Sequence, residues 1–403
     1  MNNVYVIAAK RTAIGKFLGA LATVSAADLA AAVIKDILAT TGVPPAEVDE
    51  VIVGNVLHAG LRQGVARQAA IKAGLPHEVP AHGINMICGS GMKSVIAATN
   101  AIRAGEAHLV LAGGTESMSG AGFVLPATVR GGVKMGDIAA LDHVVCDGLT
   151  DAFSGAHMGI TAENVAERYC ISRGDQDEFA FQSQRRAIEA IDAGWFKDEI
   201  TPVIVRGRSG ETVVDTDEFP NRASTPEKLA SLKPAFKQGG TVTAGNASGI
   251  NDGASFLLLA SAEAVKRLHL TPMAEVAATG QGGVDPALMG MGPVPAIADA
   301  LGKVGLGLRK VDLIELNEAF AAQSVAVIRQ LAADHGVTEG WIRCRANVNG
   351  GAIALGHPIG ASGNRITVTL LHEMLRRGDS LGLAALCIGG GMGCALLLRA
   401  FRG

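Results

Sequence analysis

Short apolar runs alternate with longer stretches of helical composition along the first third of the chain. The runs rich in β-branched or aliphatic residues are Val4–Ala8, Val51–Val53 and Leu109–Ala112, and the helical stretches include Ala26–Thr40 and Ser94–Ala104. Alternating strands and helices are typical of parallel sheets whose faces are covered by helices. The pattern therefore predicts an α/β fold with largely parallel sheets.

The same order of features returns near the end of the chain. Each copy has a short strand, a Ser-Gly helix start, a helix that ends in arginine and glycine, and a strand followed by two glycines. The matched segments are Val48–Ile52 with Val311–Glu315, Gly89–Lys93 with Ala361–Arg365, and Gly113–Gly114 with Gly389–Gly390. Any two strand–helix–strand units look somewhat alike, but matches in the same order favour an internal duplication. Duplication predicts two pseudo-symmetric halves with an active site where they meet.

The composition changes between the two copies, from about residue 119 to residue 250. This segment contains five prolines, many charged residues and a helix-like stretch, Ile160–Ala193. Because it has amphipathic helices of its own, we interpret it as an inserted loop domain rather than a linker. The predicted boundaries are residues 1–119 plus 251–272 for the first half, 120–250 for the loop domain and 273–403 for the second half.

The overall composition limits the classes of function. Of the 403 residues, 48% are hydrophobic and 18% are charged, which suits a globular enzyme with much buried surface. The formal net charge of −3 gives no attraction to nucleic acid or to an anionic membrane. The most apolar stretch, Leu381–Leu398, is interrupted by Gly389, Gly390, Gly391 and Gly393 and predicts two buried strands rather than a membrane span. The N-terminus lacks the apolar core of a signal peptide, so we expect a cytoplasmic protein.

The six cysteines, at positions 88, 146, 170, 344, 387 and 394, show no CxxC pair and no zinc-type spacing with histidine. We therefore expect free thiols and no metal site. Cys88 follows an apolar segment and precedes Gly89–Gly91, where a helix is predicted to begin. A thiol at such a turn lies at the positive end of the helix dipole, which is expected to lower its pKa. A small buried residue would fit equally well, so this segment alone leaves nucleophile and structural thiol open.

Three further positions carry candidate chemistry, and each has an ordinary structural alternative. His357 lies between a glycine and a proline in an apolar stretch, where a core histidine bonded to a carbonyl group is the usual explanation. Cys387 precedes a glycine turn that lacks the Lys-Ser/Thr of a phosphate-binding loop, and no GxGxxG follows the first strand. Asn317, after the predicted strand Leu313–Leu316, is either a helix N-cap or a group that holds a water near an oxyanion.

Taken together, these segments resemble the active-site motifs of one family, the thiolases. The resemblance covers essentially the whole chain and implies the thiolase fold, with two pseudo-symmetric layered α-β-α-β-α halves and an inserted loop domain. The segments that match the four active-site motifs, in the family's order, are Asn85–Gly91, Asn317–Phe320, Gly356–Pro358 and Cys387–Gly391.

The resemblance also implies the roles of the site residues. Cys88 would carry the acyl group after deprotonation by His357, and Cys387 would exchange a proton with the second acetyl unit. One oxyanion hole would be formed by His357 and a water held by Asn317. The other would be formed by the backbone N–H groups of Cys88 and Gly389.

The loop domain resembles that of the biosynthetic, short-chain thiolases through Arg130–Asp137, Asp147–Asp151 and His157–Asn164. In that group Met158 narrows the acyl pocket, and Ser248 is the polar contact of the pantetheine chain. The other residues that the resemblance places along the coenzyme A site are Leu149, His157, Arg222, Phe236, Ala244, Ala319 and Phe320. For Met158 plain helix packing stays open, and for Arg222 a solvated charge.

The activity implied by the resemblance is that of an acetyl-CoA C-acetyltransferase, which reversibly condenses two acetyl-CoA to acetoacetyl-CoA and CoA. These thioesters are substrates, so no cofactor is implied. The family resemblance also implies a homotetramer built from tight dimers, with no nucleic-acid or membrane partner. The first alternative is a degradative 3-ketoacyl-CoA thiolase with a wider pocket, and the second is a non-catalytic acyl-CoA binder. A decarboxylating ketoacyl synthase is disfavoured, because that branch generally has histidine in place of the second cysteine.

One departure from the family pattern affects the predicted acyl pocket. The residues before His157 are Ser154-Gly155-Ala156, where many relatives carry an aromatic side chain. The acyl-chain limit therefore does not follow from the resemblance alone.

Overall fold

The computed structural model describes residues 3–207 and 210–401. The strands are β1 (Val4–Thr12), β2 (Gly15–Lys16), β3 (Glu50–Gly54), β4 (Ala81–Ile84), β5 (Leu109–Ser117), β6 (Phe123–Val124), β7 (Leu141–Asp142), β8 (Ile200–Thr201), β9 (Val203–Gly207), β10 (Gly210–Val214), β11 (Asn251–Ser261), β12 (Ala274–Gly283), β13 (Leu313–Leu316), β14 (Leu381–Ile388) and β15 (Met392–Ala400).

The helices between them cover both faces of the sheet and fill the inserted segment. They are α1 (Ala26–Thr41), α2 (Val65–Ala73), α3 (Ser90–Ala104), α4 (Met158–Arg168), α5 (Arg173–Asp192), α6 (Pro226–Ser231), α7 (Ala262–Arg267), α8 (Pro293–Lys303), α9 (Ala321–His335), α10 (Glu339–Arg343), α11 (Ala352–Leu355) and α12 (Ile359–Arg377). Within the described residues, no helix is both long enough and apolar enough to cross a membrane.

One mixed sheet runs through the molecule in the order β13-β14-β15-β12-β1-β11-β5-β3-β4, with β2 and β8 attached to its centre. The path contains five strands of the N-terminal half, from β1 to β4 in this order, and four of the C-terminal half. Within the described residues, the two groups pair at two positions, Tyr5 with Glu275 and Val6 with Ala274. The two halves thus share a sheet, and α12 of the second half packs against both β11 and β5 of the first half and its own β14. This arrangement agrees with the predicted duplication.

The prediction of largely parallel sheets is wrong. The short pairs β3–β4, β3–β5 and β13–β14 are parallel, but the long pairs β1–β11, β11–β5, β12–β15 and β14–β15 are antiparallel. The reason lies in the connections. β14 and β15 are joined by a tight glycine turn, and the inserted segment leaves the end of β5 and returns beside it, where Asp252 pairs with Ser117. Neither connection crosses the sheet, as a parallel pair requires.

The strand–turn–strand predicted for Leu381–Leu398 is confirmed by β14 and β15. The helix-like stretch predicted for Ile160–Ala193 consists of two helices, α4 and α5. Between them Cys170 has a φ of 51°, which no α-helix tolerates. Ser172 then begins α5 with a capping box, in which its hydroxyl accepts from the Asp175 N–H and its own N–H donates to the Asp175 carboxylate. The predicted domain boundaries stay a prediction.

Helices α3 and α12, one from each half, cross at glycines in the centre of the molecule. A Cβ atom added to Gly114, at the neighbouring strand, would lie 2.0 Å from the carbonyl oxygen of Gly360, and one added to Gly91 would lie 2.9 Å from the same atom. A Cβ on Gly363 would lie 2.8 Å from the backbone nitrogen of Met92. Only glycine permits this backbone approach. The contact sets the position of the two helix starts relative to each other.

We therefore expect Gly91→Ala to destabilise the protein by about 1–3 kcal/mol, because the added methyl group must separate the two helices. The matched control is Gly302→Ala near the end of α8, where an added Cβ meets no described atom within 4 Å. Alanine there should be neutral or slightly stabilising. The check is the apparent melting temperature of both variants at one protein concentration; equal values for the two variants would contradict this account of the crossing.

Candidate active site

The turn that carries Cys88 lies between β4 and the start of α3. Ile87 has a φ of 46°, an unusual conformation for a β-branched residue. Ser90 holds the turn, because its hydroxyl accepts from the Met86 N–H at 2.8 Å and donates to the Ile87 carbonyl at 2.7 Å. The Asn85 side chain also accepts from the Ile87 N–H at 3.1 Å. The strained turn is thus fixed by side chains on both sides of Cys88.

His357 lies just before α12 and is held at two points. Its backbone N–H donates to Asn251 Oδ1 at 2.9 Å, and its Nδ1 lies 2.5 Å from the hydroxyl oxygen of Ser362. That hydroxyl donates its proton to the Pro358 carbonyl at 2.9 Å, so it accepts from Nδ1–H. The tautomer then leaves a lone pair on Nε2, which is buried and has no hydrogen-bond partner in the part of the chain that the structure describes.

Ser90 and Ser362 are counterparts in the duplication, since they occupy the same place in Gly89–Lys93 and Ala361–Arg365. Each hydroxyl fixes the turn that precedes its helix, and one of these turns carries Cys88 while the other carries His357. Neither serine was predicted from the sequence to have a role. The aligned repeat contained the relevant signal, because it places both serines at the start of a helix.

Cys387 is the second-last residue of β14 and pairs with Gly393 of β15. The chain then reverses through Gly390 and Gly391, which have φ values of 83° and 82°. This turn brings the Gly389 N–H close to Cys88, where it and the Cys88 N–H act to lower the pKa of the thiol. The two backbone donors named for an oxyanion hole therefore converge at the Cys88 sulfur.

Asn317 follows β13, and its N–H donates to the Ala385 carbonyl of β14 at 3.0 Å. Its side chain is buried, yet neither Oδ1 nor Nδ2 has a partner among the described residues. Unpaired buried amide atoms are costly, so such a group is usually matched by water or a ligand. Asn317 does not line the cavity described next.

A cavity of about 480 Å³ brings together Cys88, His357 and Cys387. The predicted coenzyme A contacts that line it are Leu149, His157, Met158, Phe236, Ala244, Ser248, Ala319 and Phe320. The lining residues that the sequence analysis missed include Met118, Phe219, Met289 and Ile359. Apolar side chains of this kind carry no motif, so only the tertiary structure identifies them. Within residues 3–207 and 210–401, no cluster of three or more His, Cys, Asp and Glu side chains could hold a metal ion.

Three predicted site residues lie outside this lining. Asn317 is buried but does not line the cavity, and Gly389 lines an adjoining cavity. Arg222 is exposed and forms an ion pair with Asp192. The Arg222 guanidinium holds the Asp192 carboxylate through two hydrogen bonds, of 2.5 and 2.9 Å. Its contact with coenzyme A stays a prediction.

One wall of the cavity is aromatic. The His157 and Phe236 rings stack with centroids 4.8 Å apart, and Phe320 meets Phe236 edge-on at 6.3 Å. His157 also caps α4, since its Nδ1 accepts from the Gly159 N–H at 3.0 Å. Ser248 is held by its backbone N–H, which donates to the Ala319 carbonyl at 3.0 Å. The walls are therefore flat and apolar, with few polar groups.

Burial controls the charge of the three central groups. It raises the pKa of Cys88 to about 11, although the Gly389 and Cys88 N–H groups act in the opposite direction. Burial and the nearby Cys88 raise the pKa of Cys387 well above its ordinary value. Burial, and then the positive charge of Arg365, lower the pKa of His357 to about 3. All three groups are uncharged at pH 7. The predicted lowering of the Cys88 pKa by the helix dipole is wrong, because desolvation outweighs it.

Comparison with known protein families identifies the family to which a chain with this site belongs. Residues 4–263 match the thiolase N-terminal domain, and residues 270–400 match the thiolase C-terminal domain. The chain belongs to the thiolase family. Acetyl-CoA acetyltransferase of Pseudomonas aeruginosa is 55% identical over 399 residues, which cover 99% of each chain. That of Escherichia coli strain K12 is 53% identical over 399 residues, again 99% of each.

Solved structures of the family agree with the fold. The acetyl-CoA acetyltransferase of Bacillus anthracis superposes with a TM-score of 0.95 at 44% identity, covering 100% of this chain and 99% of its own. Human mitochondrial 3-ketoacyl-CoA thiolase in complex with CoA superposes with a TM-score of 0.93, also at 44% identity, covering 100% of this chain and 98% of its own. The predicted thiolase fold is confirmed.

The tautomer of His357 gives a testable role to Ser362. Ser362→Ala removes the acceptor of Nδ1–H, so Nε2 is no longer held as the free base, and iodoacetamide should alkylate Cys88 about tenfold to a hundredfold more slowly at pH 7. Ser362→Thr keeps the hydroxyl and should retain most of the rate. The measurement is the alkylation rate of the Cys88 peptide by mass spectrometry. An alanine variant as fast as the threonine variant would remove Ser362 from this role.

Proposed function

We propose that this chain is an acetyl-CoA C-acetyltransferase that reversibly condenses two acetyl-CoA to acetoacetyl-CoA and CoA. The observation that carries the proposal is the meeting of Cys88, His357 and Cys387 in one cavity. The full-length similarity to proteins named acetyl-CoA acetyltransferase supports it. The thioesters are substrates in this proposal, and no resident cofactor takes part.

In the first half-reaction the Cys88 proton passes to Nε2 of His357, and the Cys88 sulfur attacks the thioester carbonyl carbon. The N–H groups of Gly389 and Cys88 stabilise the oxyanion that forms; one such donor is typically worth about 3–4 kcal/mol. The bond from the carbonyl carbon to the CoA sulfur then breaks. Cys387 gives its proton to the departing CoA sulfur. The result is acyl-Cys88, an imidazolium and a Cys387 thiolate.

In the second half-reaction the Cys387 thiolate removes an α-proton from a second acetyl-CoA. The resulting carbanion attacks the acyl carbon, and the Cys88 sulfur leaves and recovers its proton from His357. An enolate oxygen forms in this step, and Nε2–H of His357 with a water bound to the Asn317 amide would stabilise it. The unpaired amide atoms of Asn317 support that assignment.

Charge balance explains why a buried site suits this sequence of steps. The resting groups are neutral. Acylation creates one cation and one anion together, removal of the α-proton moves the negative charge from sulfur to the substrate, and the final step removes both charges. An isolated buried charge would be far more costly than such a pair. Net charge therefore stays at zero inside the protein throughout the proposed cycle.

The second candidate is a 3-ketoacyl-CoA thiolase of broader chain length. The observation that favours this second candidate is the similarity to human mitochondrial 3-ketoacyl-CoA thiolase, with a TM-score of 0.94 at 44% identity. The position of Met158 argues for the short-chain activity, because this buried side chain lines the cavity next to the two cysteines. Chain length therefore separates the two candidates.

An exposed apolar arm supports the proposed homotetramer. Several apolar side chains in β6 and in the segment between β6 and β7 are exposed to solvent. Among them, Phe123 is 69% exposed, Leu125 56% and Met135 94%. Contiguous exposed apolar surface of this kind usually contacts another subunit. A second copy of the chain is the proposed partner. The cytoplasmic location stays a prediction.

The two cysteines should separate by role. Cys88→Ser is expected to abolish the acetyl adduct that intact-protein mass spectrometry detects after addition of acetyl-CoA. Cys387→Ala should still form the adduct, but more slowly, because it lacks the thiol that protonates the departing CoA sulfur. It should lose condensation by about a hundredfold to ten-thousandfold, because it also lacks the group that removes the α-proton. Cys394→Ala, another buried cysteine on the neighbouring strand, is the matched control and should keep condensation. Wild-type condensation by Cys387→Ala would rule out the proposed base.

Chain-length dependence tests the substrate. Going from acetoacetyl-CoA to 3-ketohexanoyl-CoA should lower kcat/KM for thiolysis by about tenfold or more, since Met158 leaves little room for extra methylene groups. Met158→Ala should recover part of that loss. The measurement is thiolysis by both proteins with both substrates. Equal kcat/KM values in the wild type would favour the 3-ketoacyl-CoA thiolase.

A further inference from the structure

A second cavity, of about 730 Å³, adjoins the one that holds the catalytic groups. The two cavities share Gly148 and Met158 in their linings. These shared residues form part of the partition between the two cavities. A Cβ on Gly389 would lie 3.4 Å from Ile87 Cγ2 and 3.6 Å from Met158 Sδ, so these three residues converge there. Ile87 precedes the acyl-carrying cysteine, so the partition stands beside the place where an acyl chain would begin.

The second cavity is lined by polar groups, unlike the first. His58, His143, Cys146, Asp147 and Asp151 all line it. His143 is 97% buried, since its relative exposure is 3%, and its Nε2 lies 3.0 Å from Asp147 Oδ2. Its Nδ1 is buried and has no hydrogen-bond partner among residues 3–207 and 210–401. A buried polar atom left unpaired costs about 1–3 kcal/mol, so this atom favours a polar occupant.

Two small residues of the segment before His157, Ala152 and Gly155, line the cavity and take up little of its space. The Asp151 carboxylate holds this stretch, accepting from the Ser154 N–H at 2.8 Å and from the Ser154 hydroxyl at 2.7 Å. The space is therefore built by an ordered turn.

The polarity of the lining selects the chemistry of the occupant. Nε2 of His143 faces the Asp147 carboxylate, which leaves Nδ1 for the occupant. An alkyl end would leave Nδ1 unpaired, and a carboxylate could not donate to it and would be repelled by Asp147 and Asp151. Burial, and then the proximity of His143, lower the pKa of His58, so His58 adds no positive charge at pH 7. A hydroxyl group is uncharged and can donate to Nδ1.

We propose that the second cavity receives the distal end of hydroxyl-bearing acyl groups, so that the substrates of this chain include hydroxyacyl-CoA thioesters. The inference rests on the proposed function and names a substrate class for the same site. In the acylation step the bond between the acyl carbon and the CoA sulfur breaks, and the bond to the Cys88 sulfur forms. The Cys88 proton is taken up by His357 and the CoA sulfur is protonated by Cys387, as for acetyl-CoA. Passage requires the unbranched Met158 side chain to turn aside. An acyl end that pairs with Nδ1 of His143 compensates for that displacement, whereas a plain alkyl end, as in 3-ketohexanoyl-CoA, does not.

The test compares Cys88 acylation by acetyl-CoA, butyryl-CoA and 3-hydroxybutyryl-CoA, followed over time by intact-protein mass spectrometry with peptide mapping. The last two probes have the same chain length and differ in one hydroxyl group. 3-Hydroxybutyryl-CoA should acylate Cys88 about tenfold faster than butyryl-CoA, which corresponds to one hydrogen bond to a buried acceptor. Equal rates for these two, with normal acetylation, would overturn the inference and leave the proposed function intact. Failure of acetyl-CoA itself to label Cys88 would overturn the proposed function.

Two variants locate the effect. His143→Gln can keep a donor to Asp147 but lacks the Nδ1 acceptor, and Ala152→Phe fills the cavity without touching His143. Each should reduce the ratio of hydroxybutyryl to butyryl acylation rates to about one while acetylation stays at the wild-type rate. If His143→Gln also loses acetylation, the substitution has disturbed the fold of the protein. The rate ratio of Ala152→Phe is then the test of the inference. An Ala152→Phe variant that acetylates normally and keeps the full preference for the hydroxyl would place recognition elsewhere and overturn the inference.

Discussion

The crossing of α3 and α12 at glycines is the contact on which the rest of the site depends. Gly91 and Gly363 let the two helices approach until backbone meets backbone, and Gly114 lets the carbonyl of Gly360 pack against β5. Each helix begins directly after a catalytic turn, so the crossing determines where those turns meet. Because one turn comes from each half of a duplicated unit, neither half contains a complete site. Duplication thus supplies the geometry that a single α/β unit lacks.

Burial gives the site its chemistry. The same loss of water raises the pKa of both cysteines and lowers that of His357, which leaves three neutral groups in contact with an apolar cavity. The helix dipole and two N–H donors favour a Cys88 thiolate, but they do not overcome desolvation. We therefore regard ionisation as coupled to the reaction, with the imidazolium and thiolate formed together. The backbone donors at Cys88 are then free to act on an oxyanion instead of a resting thiolate.

Much of this could be predicted from the sequence, because the informative features are local. The strand–turn–strand at the C-terminus and the family motifs each lie within a short segment, and their order identifies the thiolase family. The predictions that were wrong concern features that depend on contacts between distant segments. Strand direction in the sheet follows from where the inserted segment returns, and the Cys88 pKa follows from how much protein covers it. Ser362 and His143 have partners only five and four residues away, His357 and Asp147, so their roles depend on the local turn and on burial, for which no sequence motif exists.

The measurement that tests the central claim most directly is a pH titration of the Cys88 thiolate, followed by ultraviolet difference absorbance between the wild type and Cys88→Ser. The account predicts a neutral thiol beside a neutral imidazole in the free enzyme. The thiolate signal should be absent at pH 7 and should increase only as the pH approaches about 11. A full thiolate signal at pH 7, which would mean a preformed thiolate–imidazolium pair, would contradict it.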